Sequence, residues 1–88
     1  MNITAPDHIR QALRYAAEWL TTNRPDKPMS EVGRRGAALL TAQETHPNNQ
    51  QATNKLVEEL LTHMPQVAPG ALTRTQYGKQ LLNATRSA

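Results

Sequence analysis

The sequence contains no cysteine and no phenylalanine, and its aromatic side chains are Tyr15, Trp19 and Tyr77. Without cysteine there is no disulfide and no thiolate metal site, a composition that fits a reducing compartment. With so few aromatics, a core must be built from Leu, Ala, Val, Ile and Met. Such side chains suit close helix packing better than a sheet sandwich, which favours β-branched and aromatic residues. No segment alternates apolar and polar residues for long enough to read as a strand. No apolar run approaches the roughly 18 residues needed to cross a membrane. The opening MNITAPDHIR lacks both the basic start and the apolar middle of a secretory signal. The expectation is a complete, cytoplasmic chain that does not associate with membranes.

Catalytic and ligand-binding patterns are equally scarce. His8, His46 and His63 stand far from one another, with no pair at i,i+3 or i,i+4, so no metal site is expected. Ser30 and Ser87 are the serines, and neither sits in a Gly-x-Ser-x-Gly elbow. Glu58 and Glu59 are adjacent and diverge around a helix instead of facing one substrate. Gly33-Arg34-Arg35-Gly36 raises the question of a phosphate-cradling loop. Such a loop needs a preceding strand and usually a Lys-Ser/Thr ending, and this stretch has neither. The chain is therefore read as non-enzymatic, with no catalytic residue, no metal and no cofactor.

What remains is a basic chain of 88 residues, read as one domain over 1–88. Its net charge of +3 is unevenly placed. From Met1 to His63, seven Lys/Arg cancel seven Asp/Glu, whereas Arg74, Lys79 and Arg86 follow with no acid. A basic end can attract nucleic acid or an acidic protein surface.

The apolar spacing predicts an all-α fold, a compact bundle of about four short helices. The first helix is expected from a Thr4 cap, with Pro6 and Asp7 in its first turn. Its stripe is Ile9, Ala12, Leu13, Ala16, Ala17 and Leu20, with Arg10, Arg14 and Glu18 outside. Asn23 is expected to end it in the left-handed conformation, and Pro25 prevents continuation. The second helix starts between Pro28 and Glu31, capped by Asp26 or Ser30. Its expected stripe is Met29, Val32, Gly36, Leu39, Leu40 and Gln43, which puts Gly36 at a close-packed seam and turns Arg34 and Arg35 outward. The third helix begins near Asn48 and Gln51 and buries Ala52 or Thr53, Leu56, Val57, Leu60, Leu61 and Met64, with Pro65 as its stop. Pro69-Gly70 suits a type II turn. The fourth helix opens on the capping box Thr73-Arg74-Thr75-Gln76, with Leu72 and Tyr77 at the staple positions and Leu81 and Leu82 behind them. Residues from Asn83 onward are expected to fray.

Two functional readings compete. The first is a regulatory or inhibitor-type protein that binds a partner protein with an acidic surface. Tyr15 and Trp19 would be apolar anchors, and Arg10, Arg14, Arg34 and Arg35 steering charges. Accessory proteins of phages and mobile elements often work this way, which is a statement about size alone. The alternative is a DNA- or RNA-binding protein using Arg74, Gln76, Lys79, Gln80 and Arg86 of the last helix together with the arginine pair Arg34 and Arg35. A helix-turn-helix is not expected there, since six residues follow Leu82 and a recognition helix needs more. Self-association into a homo-oligomer is a third reading.

Overall fold

The computed structural model describes residues 6–68 and 70–86. Four helices follow in order: α1 (Asp7–Thr22), α2 (Glu31–Thr45), α3 (Gln50–His63) and α4 (Arg74–Arg86). Among the described residues there is no strand, only one antiparallel bridge between Pro28 and Thr73. The all-α bundle expected from the periodicity is the architecture found. Helix α1 is its hub, packing against α4, α2 and α3, while α2 and α3 pack against each other.

Helix α1 buries Ile9, Ala12, Leu13, Ala16, Ala17 and Leu20, the stripe its spacing requires. Pro6 stands at its N-cap, and the Pro6 carbonyl accepts from the N–H groups of Ile9 and Arg10. The Thr4 cap lies outside the described residues. At the other end Asn23 is extended, and its side-chain amide and backbone N–H both donate to the Trp19 carbonyl. The left-handed residue is Arg24, at φ 53°. The expected ending is therefore displaced by one position. Asn23 serves better as a side-chain cap for an orphan carbonyl than as the left-handed residue.

The linker after α1 does more than connect. Met29 N–H donates to Leu72 O at 2.7 Å, Arg74 N–H to Lys27 O at 2.9 Å, and Thr75 N–H to Pro25 O at 3.1 Å. These bonds tie the α1–α2 connector to the start of α4 and satisfy the amides there. Gly70 has φ 75°, and the Ala71 N–H closes the turn on Ala68 O. Pro69, the other half of the expected turn, lies outside the described residues.

Helix α2 departs most from expectation. Ser30 caps it as anticipated, its Oγ accepting from the Gly33 N–H at 3.1 Å. Its buried face, however, is Arg34, Ala37, Ala38, Thr41 and Ala42. Val32, Leu39 and Leu40 are exposed instead, at 82%, 42% and 37%. Gly36 is not at a seam, since a Cβ built there would meet nothing within 4 Å. The physical reason is space. Helix α2 lies against both α1 and α3, and its inward face is filled by alanines and a threonine, which let backbones approach closely. The close-packed glycine of this fold is Gly78, where an added Cβ would stand 2.8 Å from Thr21 Cγ2 and 3.1 Å from Ala17 O.

Helix α3 is capped by Asn49, one residue later than expected, with Asn49 Oδ1 accepting from the Ala52 N–H. It buries Thr53, Leu56 and Leu60, with Met64 beyond its end, while Val57 and Leu61 pack at the margin. Helix α4 has the reciprocal capping box: Thr73 Oγ1 accepts from the Gln76 N–H, and Gln76 Oε1 accepts from the Thr73 N–H. It does not fray at Asn83. It runs to Arg86, and Thr85 is buried with its hydroxyl donating to Leu82 O.

Candidate functional site

Helical geometry sorts the α1 side chains into three strips. With the apolar stripe turned inward, steps of about 100° per residue put Tyr15 and Trp19 along one flank and Arg10 and Arg14 along the other. Tyr15 is 43% exposed. It borders two concavities. One, of about 340 Å³, lies between α1 and the end of α2 and is lined by His8, Gln11, Ala12, Tyr15, Glu44 and Thr45. The other, of about 140 Å³, is lined by Tyr15, Glu18, Trp19 and Thr22. Tyr15 is thus the ridge between a helix–helix groove and a smaller hollow.

Trp19 is half-buried, packing one side against the core. The Arg74 guanidinium lies over its ring, 5.1 Å from the centroid, and Arg74 Nη1 donates to Asn23 O at 2.9 Å. A cation over an indole is attracted by the ring quadrupole. The indole is therefore held on both sides, by core contacts and by a guanidinium that is itself anchored.

The arginines named as steering charges separate. Arg10 pairs with Asp7 one turn away, and Arg14 is exposed beside them, with Gln11, around a shallow concavity of about 190 Å³. Arg35 is exposed and donates to Glu31 at 2.8 Å. Arg34 does not point away. Its side chain is 5% exposed and pairs with Glu31 at 2.9 Å. Its Nη1 donates to the carbonyls of Leu61 at 3.1 Å and Met64 at 3.2 Å. Those carbonyls belong to the end of α3, where helical backbone leaves acceptors without intrahelical donors. Tyr77, fully buried on α4, donates its hydroxyl to Pro65 O in the same region. One polar node therefore joins α2, α3 and α4. Hydrogen bonding from Arg34, aided by Arg35 and opposed by partial desolvation, holds the Glu31 carboxyl below its ordinary range. Burial pushes the Tyr77 phenol up to about 12.

The residues of the nucleic-acid reading also separate. Arg74 is committed to Trp19 and Asn23. Gln76 is committed to its cap, while Lys79 and Gln80 are exposed. The Arg86 side chain lies outside the described residues. Among the described residues, no three of His, Asp and Glu gather as a metal site would require. The sequence did not reveal the Arg34–Tyr77 node. Its one available signal was the small-residue run Ala37, Ala38, Thr41 and Ala42, whose helical spacing also selects Arg34.

Comparison with known protein families, curated proteins and solved structures finds no match for this chain.

Proposed function

We propose that the chain is a non-enzymatic regulatory or inhibitor-type protein that acts by covering part of a partner protein with the outer side of α1. The observation that carries this reading is the Tyr15–Trp19 ridge, one turn apart, with the indole fixed by Arg74. Aromatic anchors held in place before binding lose little freedom on binding, which is where much of the cost of association lies. Arg14 and Arg10 on the opposite flank add positive charge, and an acidic partner surface suits them. Direct nucleic-acid binding is less favoured, because Arg34 is buried, Arg74 is engaged with Trp19 and Asn23, and phosphate affinity scales with the number of free cations.

Capture of binding partners from a lysate of the encoding organism, with and without nuclease, tests this reading. A discrete protein that stays bound after nuclease is the expected result. Recovery of nucleic acid, or of proteins that all vanish with nuclease, would reverse the ranking of the two classes.

A further inference from the structure

The outer face of α2 carries the kind of residues expected of an inner face. Val32, Leu39 and Leu40 are exposed on it, and a Cβ added at Gly36 between them would meet nothing within 4 Å. Val32, Gly36, Leu39 and Gln43 are spaced four, three and four residues apart. That alternation is the spacing of a coiled-coil seam. It runs down the side of α2 opposite the buried Arg34, Ala37, Ala38, Thr41 and Ala42.

We propose that this face pairs with the same face of a second copy of the chain, α2 against α2, antiparallel about a two-fold axis level with Ala37 and Ala38. Such an axis sets Gly36 opposite Leu39 of the second copy, and Leu39 opposite its Gly36. Each leucine then enters the hollow left by a missing side chain, once on either side of the axis. A bump and a hollow three residues apart on one helix are self-complementary only in this antiparallel register, and a two-fold interface requires such self-complementarity.

Charge selects the same occupant. The seam positions carry no charged side chain, and the neighbouring Arg35 is already paired with Glu31 of its own helix at 2.8 Å. A chain of net charge +3 repels its own copy, so self-contact needs a neutral strip. An acidic partner would instead be met by free cations, and the seam positions offer none. Three turns of one helix bury less than the roughly 1,600 Å² of a standard interface, so the dimer is a weak one with Kd in the micromolar range or above. This face is distinct from the Tyr15–Trp19 ridge, and the two proposals stand or fall separately.

Sedimentation equilibrium of the full chain, from about 5 μM to about 1 mM, tests the proposal. The expected result is a single monomer–dimer equilibrium. Leu39→Lys is expected to keep the wild-type circular dichroism and melting profile, and Gly36→Gln to keep the circular dichroism and melt at or above the wild type because it removes a helical glycine, while each raises Kd at least about tenfold. Two variants with different chemistry guard against one of them failing to fold. A wild-type chain that stays monomeric to the top of the range overturns the proposal. So does an association that both folded variants leave unchanged, or one that grows beyond the dimer.

Discussion

At the residue scale the fold turns on Arg34. A guanidinium offers five donors in a rigid fork, and here four hydrogen bonds from it reach one carboxylate and two helix-end carbonyls. Lysine has the charge but not the fork, and cannot reach both sides at once. Arg34→Lys is therefore expected to cost about 2–3 kcal/mol, read from urea unfolding, because at least one buried acceptor is left without a donor. A melt unchanged by Arg34→Lys would contradict the structural role given to this residue.

The same node sets how stability depends on pH. Tyr77 has a folded pKa of about 12, above its ordinary value of 10.0. Its contribution is therefore complete below about pH 10 and is lost as pH rises toward 12. Glu31 works in the opposite sense. Its folded pKa is depressed, so its contribution is present above the ordinary carboxyl value of 4.5 and is lost as pH falls through the folded value. Thermal melts across pH should fall at both ends. Tyr77→Phe should flatten the alkaline limb and Glu31→Gln the acid limb. Limbs unaffected by these changes would place the titrating groups elsewhere.

At the element scale, two glycines make opposite demands. Gly78 faces Thr21 and the Ala17 carbonyl on α1, and a methyl there would stand 2.8 Å from Thr21 Cγ2 and 3.1 Å from Ala17 O, so Thr21 must shift and the α1 backbone must give to admit it. Gly78→Ala should destabilise by up to about 2 kcal/mol, the usual overpacking cost of about 1–3 kcal/mol less the helix propensity that alanine adds. Gly36 faces nothing within 4 Å. Gly36→Ala should stabilise the monomer by up to about 1 kcal/mol, the helix propensity difference alone. Denaturant midpoints of the two variants, measured side by side, should move in opposite directions.

These glycines also show what the sequence could and could not disclose. The α1 stripe was legible because six apolar residues recur at helical spacing with charges between them. The α4 start was legible because Thr73 and Gln76 cap each other locally, without help from the rest of the fold. Helix α2 was misread because its larger apolar side chains lie outside while alanines lie inside. Which face turns inward depended on how closely α1 and α3 approach, and that is a property of three helices together. Arg34 followed the same error. A charged residue next to a glycine reads as surface until the carbonyls it must satisfy, some 27 and 30 residues away, are known.

At the scale of the whole molecule, α1 has two jobs. Its inner stripe touches every other helix, and its outer side presents the exposed Tyr15 beside the half-buried Trp19. The aromatic pair is legible in the sequence, but its rigidity is not, because the guanidinium over Trp19 comes from Arg74, 55 residues further on. The arginines proposed from sequence as one steering group are divided, with Arg34 inside, Arg10 and Arg35 paired, and Arg14 exposed. The proposed binding face centred on Tyr15 accords with this division better than a basic face does.

The most direct test of that face is quantitative capture after nuclease treatment, comparing the wild-type chain with Tyr15→Glu. Tyr15 is exposed, so the substitution should leave the melting temperature within a few degrees of wild type. The account predicts a protein partner retained by the wild type and reduced at least about tenfold by Tyr15→Glu, as expected for loss of an interface anchor. Equal capture by the two folded proteins would contradict the assignment of the α1 ridge as the binding face.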